Sequence, residues 1–71
     1  MKFELGRCLL QERLEESGVS IDQLARDLHY KREMLFDYIE NKRVMPLKNA
    51  ISIADTIGCT VNDLYELNAL E

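Results

Sequence analysis

A chain of 71 residues with 46% apolar and 31% charged residues has room for one folded domain and is too apolar for a disordered tail. At this length apolar burial barely offsets conformational entropy, so compact packing with short connections, or a partner subunit, is required. The net charge of −4 argues against a uniformly basic nucleic-acid binder and makes the placement of the bases decisive.

Periodicity predicts five helices, no strand, and a single all-α domain over residues 1–71. The first helix is placed at about 3–17, with Leu10 and Leu14 four apart on one face, Phe3, Cys8 and Leu9 adding apolar surface, and Gly18 closing it. The second, 21–28, opens on a capping box, Ser20 with Gln23, and carries Ile21, Leu24, Ala25 and Leu28 at i, i+3, i+4, i+7. The third spans about 32–40, with Leu35, Tyr38 and Ile39 inward and Tyr30 packed under the preceding turn. Residues 42–45 read as a loop. Pro46 suits the first position of a fourth helix, 46–57, whose apolar stripe is Leu47, Ala50, Ile51, Ala54 and Ile57 and whose stop is Gly58. Thr60 with Asp63 resembles a second capping box, opening a short fifth helix, 61–67, with Val61, Leu64, Tyr65 and Leu67.

Several chemistries are disfavoured. Cys8 and Cys59 have apolar neighbours and form no disulfide framework, so both are expected reduced in a cytoplasmic protein. His29 is the only histidine and there is no CxxC, so no metal and no cofactor are expected. No Ser/His/Asp or Cys/His arrangement is evident, so the chain does not read as an enzyme. Apolar runs are too short for a membrane span, and Met1-Lys2-Phe3-Glu4 lacks the apolar stretch of a signal peptide.

Charge is unevenly distributed. From His29 to Lys48 five bases (Lys31, Arg32, Lys42, Arg43, Lys48) face three acids (Glu33, Asp37, Glu40), a net +2 that leaves the remainder at −6. Over a Debye length of about 8 Å distant acids are screened and local bases are not, which permits a DNA face.

The stretch from Gly18 to Leu28, a tight turn, a helix, and then Ile39-Glu40-Asn41-Lys42-Arg43-Val44-Met45-Pro46 describes two short helices joined too tightly to lie antiparallel. With Leu24-Ala25, Glu40-Asn41, Pro46 and the tail from Ile53 to Tyr65, the chain resembles the Cro/CI, or xenobiotic-response-element, family of lambda-repressor-like helix-turn-helix regulators over about Leu10 to Leu67. Three departures stand out. His29 fills the turn position usually held by Gly, Ile21 replaces the usual Gln, and one extra residue separates Ala25 from Glu40, in the turn or in the third helix.

The resemblance implies a repressor-like transcriptional regulator of phage, plasmid or mobile-element type that binds double-stranded DNA as a homodimer, with the third helix in the major groove. It places base contacts at Lys31, Arg32, Glu33 and Phe36, with Asp37 at the margin, and phosphate contacts at Ser20, Lys42 and Arg43. Arg suits guanine O6 and N7, Glu suits cytosine N4, and Phe suits a thymine methyl. Phe36 is also a candidate for core or dimer surface, and Glu33 and Asp37 for pairing with Arg32 or Lys31. The alternative function on this fold is a protein-interaction module, an antirepressor or assembly subunit, that never reads bases. The DNA reading requires the basic start of the third helix to project outward rather than fold against carboxylates.

Overall fold

Alternation, not helical periodicity, governs the two ends of the chain. Phe3 and Leu5, and Tyr65, Leu67 and Ala69, each take every second position, the spacing that puts side chains on one face of a strand. The computed structural model describes residues 2–70; Met1 and Glu71, the ends of the expected 1–71 domain, lie outside them. The described elements run β1 (Phe3–Cys8), α1 (Leu10–Ser17), α2 (Ile21–Leu28), α3 (Arg32–Ile39), α4 (Leu47–Ile57), a 3₁₀ turn (Val61–Asp63) and β2 (Tyr65–Ala69). The five-helix, all-α expectation is therefore corrected at both ends. The predicted 3–17 helix is a strand followed by α1, and the predicted 61–67 helix is one 3₁₀ turn followed by a strand.

β1 and β2 form a two-stranded antiparallel sheet in which Leu5 opposes Leu67 and Cys8 opposes Tyr65. The register shifts between Leu5 and Cys8. Gly6 sits in that irregularity, where a Cβ would stand 2.7 Å from the Glu66 Cβ, so the close approach of the strands requires glycine. The ribbon joins chain segments some sixty residues apart, and the Leu9 amide donates to the Leu64 carbonyl at 2.7 Å to carry that join into α1.

Each of the four α-helices, and the residue that follows the 3₁₀ turn, sends an apolar side chain to a common centre. Leu10 of α1, Leu24 of α2, Leu35 of α3, Ile53 of α4 and Leu64 after the 3₁₀ turn are fully buried. Each such burial contributes about 1.5–3 kcal/mol. Cys8, Leu14, Tyr38, Met45, Ala50, Ala54 and Ile57 complete the core. Two expectations for α4 fail: Leu47 and Ile51 are exposed and Ile53 is buried. Pro46 precedes α4 as its cap rather than occupying the first helical position.

The caps are local chemistry. The Ser20 hydroxyl oxygen accepts from the Gln23 amide at 3.1 Å, half of the expected capping box. The Asp63 carboxylate accepts from the Thr60 amide and hydroxyl, both at 3.0 Å, and these bonds hold its carboxyl below the usual carboxylate range. What that cap contributes is present above the unfolded-state pKa and is lost as pH falls through the depressed folded value. α2 ends on His29 at φ 57, the left-handed conformation that the family's glycine normally supplies. His29→Gly should raise the free energy of unfolding by up to about 1 kcal/mol; urea denaturation checks it, and a loss of stability would mean that the imidazole makes compensating contacts.

Candidate nucleic-acid interface

α3 has two faces. Leu35 and Tyr38 are buried, whereas Lys31, Arg32, Glu33 and Phe36 are exposed. The turn before it consists of His29, Tyr30 and Lys31, an ordinary length for a helix-turn-helix. The extra residue between Ala25 and Glu40 is therefore not accommodated in the turn. It falls within α3 or at its end, where Asn41 adopts φ 62. There the Lys42 amide donates to the Asp37 carbonyl at 2.8 Å and the Asn41 amide to the Tyr38 carbonyl at 3.1 Å, a Schellman closure.

Two asparagines that the sequence reading left without a role fix this helix in place. Asn41 Oδ1 accepts from the Cys8 amide at 2.8 Å, tying the end of α3 to the end of β1. Asn49, half-buried on α4, bridges two tyrosines: its Oδ1 accepts from the Tyr30 hydroxyl at 3.0 Å and its Nδ2 donates to the Tyr38 hydroxyl at 3.1 Å. The turn and α3 are thereby clamped to α4 through one amide. Tyr30 is half-buried against the core, as expected under the turn. The available signal was slight: an amide beside the core residue Ala50 on α4, with two tyrosines in the preceding segment.

At the other end of α3 an open groove of about 580 Å³ lies between the end of α1, the start of α2 and the start of α3. Ser20, Arg32 and Phe36 line it together. Arg32 stacks over the Phe36 ring at 5.3 Å from its centroid and its Nε lies 2.7 Å from Asp22 Oδ1. Phe36 is 37% exposed, on the groove side rather than in the core. Lys42 and Arg43 lie past the far end of α3, Lys42 paired with Glu40 at 3.0 Å and Arg43 with Asp37 at 3.3 Å. The Glu40 carboxylate raises the Lys42 ammonium above its ordinary range, so Lys42 is fully charged at neutral pH. Lys31 makes no ion pair among the described residues.

The condition set by the sequence is thus met in part: α3 is uncovered and Lys31 projects, but Arg32 rests on a carboxylate. That pair is 59% and 64% exposed, a class of contact worth about 0–1 kcal/mol. It orients Arg32 without committing it.

Known proteins point the same way. Residues 9–69 match the family model of the Cro/C1-type helix-turn-helix DNA-binding domain. The chain belongs to the Cro/C1-type helix-turn-helix family. It is similar to the SPbeta prophage-derived uncharacterized HTH-type transcriptional regulator YopS of Bacillus subtilis (strain 168), 34% identical over 67 residues that cover 93% of this chain and 90% of that protein. The same organism's SPbeta prophage-derived uncharacterized HTH-type transcriptional regulator YotL is 33% identical over 63 residues, 87% of this chain and 79% of that one. No solved structure gives a significant match. Among the described residues no helix is long and apolar enough to cross a membrane.

Asn49→Leu removes both bonds and leaves two tyrosine hydroxyls without their partner, which should cost about 1–3 kcal/mol of stability. Urea denaturation of this variant alongside Tyr30→Phe and Tyr38→Phe checks the bridge: each Phe variant should cost less than Asn49→Leu, and unchanged stability in Asn49→Leu would show that the bridge does not stabilise the fold.

Proposed function

We propose that this Cro/C1-type protein is a prophage-type transcriptional regulator that reads double-stranded DNA with α3 in the major groove and represses as a homodimer. The observation that carries the reading is the division of α3: Leu35 and Tyr38 anchor one face, and Lys31, Arg32, Glu33 and Phe36 project from the other. In this reading Lys31, Arg32 and Glu33 contact base edges, Phe36 packs on a thymine methyl, and Asp37 serves chiefly to hold Arg43. Ser20, Lys42 and Arg43 contact phosphates and set register without specifying sequence. The Ser20 oxygen already accepts from Gln23, so its hydroxyl proton is available to donate to a phosphate oxygen.

Energetics favour exchange of the Asp22 pair on binding. A bidentate Arg–guanine contact gives about 1–3 kcal/mol of discrimination, more than an exposed ion pair contributes. Asp22 then acts as a holder that keeps Arg32 extended over Phe36 in the free protein.

A second reading rests on a specific observation. Arg32, Lys42 and Arg43 are each paired with a carboxylate, and the chain is acidic overall, features that suit a protein-interaction module on this fold. Salt separates the two. DNA binding through phosphates falls steeply with salt concentration, and contact with a protein partner through an apolar surface does not.

Fluorescence anisotropy with a duplex selected from random sequence, compared with an unrelated duplex, tests the assignment. Arg32→Ala should reduce discrimination between the two by about 1–3 kcal/mol, whereas Lys42→Ala should weaken both nearly equally and lower the salt slope by about one. Equal losses from both variants on both duplexes would remove Arg32 from the reading role.

A further inference from the structure

The segment from Asn41 to Pro46 carries two of the bases assigned to phosphate, yet it has no periodic structure of its own. Its ties to α3 are short-range. Lys42 and Arg43 pair with Glu40 and Asp37 in largely exposed contacts, a class that contributes little in water. Their amides reach back only to the Asp37 carbonyl. None of these contacts fixes the segment against the rest of the domain.

Two hydrogen bonds from the terminal ribbon do. Asn41 Oδ1 accepts from the Cys8 amide at 2.8 Å, and the Tyr65 hydroxyl accepts from the Met45 amide at 3.1 Å. Cys8 and Tyr65 are partners across the ribbon. One rung of the sheet therefore grips the segment at both ends, with Lys42, Arg43 and Val44 between the grips. Cys8 and Met45 are buried, so their amides require these acceptors. Asn41 supplies both an acceptor and the left-handed backbone, φ 62, at which the chain leaves α3.

We infer that the Cys8–Tyr65 rung is a brace that sets Lys42 and Arg43 for phosphate, with Asn41 and Tyr65 as its positioning residues. The inference rests on the DNA reading above and gives the terminal ribbon a part in it. Neither Asn41 nor Tyr65 is assigned a contact with DNA, so both act through the bases they flank. The physical gain is preorganisation: a base on a held backbone loses less freedom on meeting a phosphate than one on a loose segment. Phosphate contacts set register, and they can do so only if their backbone is fixed relative to α3. Asn41 meets that condition, because it closes α3 and is bonded to the ribbon at the same residue.

The test uses the full chain, under conditions where circular dichroism shows each variant folded. Tyr65→Phe removes only the acceptor oxygen, and Asn41→Gly keeps the left-handed turn while removing the amide. In the free wild-type protein, hydrogen exchange should show the Cys8 and Met45 amides protected. Backbone order parameters over residues 42–44 should fall from about 0.85 to below about 0.6 in each variant. Anisotropy should show each variant weakened about three- to tenfold on the selected and the random duplex alike, with their ratio unchanged. In a chain already carrying Lys42→Ala and Arg43→Ala, the same substitutions should cost no further affinity. Free exchange of the Cys8 and Met45 amides in wild type overturns the inference without reference to any variant. So does an equal further loss in the double-alanine chain, which would make the rung structural only, or a loss confined to the selected duplex. Wild-type duplex binding, with segment order or affinity unaltered in both variants, sinks the brace and spares the DNA reading. A segment loosened in the variants, with no duplex bound even by wild type, supports the brace and sinks the DNA reading on which its use depends.

Discussion

The burial of Leu35 and Tyr38 is the constraint on which the interface depends. A helix of eight residues has little stability of its own. α3 persists because two side chains one turn apart enter the core, and because the Tyr38 hydroxyl receives a hydrogen bond from Asn49 on α4. Fixing that face fixes the other. Lys31, Arg32, Glu33 and Phe36 have no choice but to point outward, and the same amide that holds Tyr38 also holds Tyr30 in the turn. Rotational setting of α3 and geometry of the turn are thus coupled through a single half-buried side chain.

The acidic total is reconciled with DNA binding by local bookkeeping of charge. The bases around α3 are held in exposed pairs with Asp22, Asp37 and Glu40, which keep long side chains extended at little energetic depth. In the proposed reading such pairs lower non-specific attraction to nucleic acid while leaving each base exchangeable for a phosphate or a base edge. Under the proposed reading, a chain of this kind depends on a well-matched site more than a uniformly basic one does.

How much was legible in the sequence differs by element, for physical reasons. α2 was readable to the residue because its cap, its i, i+3, i+4, i+7 pattern and its closing residue are all local signals. His29 fills the turn position that glycine usually holds in the resembling family, and its φ of 57 is the left-handed conformation that glycine adopts cheaply. The strands were misread because Leu10 and Leu14 set a helical period to which Phe3, seven before Leu10, was joined although Gly6 and Arg7 interrupt it, while the evidence for β1 is its pairing with residues at the opposite end of the chain. α4 offers two overlapping stripes, and only packing decides that Ile53 enters the core while Leu47 and Ile51 stay out. Of the candidate site, Ser20, Arg32 and Phe36 were each named from the sequence, but not their meeting at one groove, and Asp22, Asn41 and Asn49 were given no role. Their roles arise from contacts across elements, to which a one-dimensional pattern is blind.

The most direct test of the account is an amide NMR titration of the full chain with a duplex selected from random sequence. Perturbations concentrated on residues 31–37, with smaller ones at Ser20, Lys42 and Arg43, are the expected result. Strong perturbation of α4 or the ribbon with residues 31–37 unmoved would contradict it.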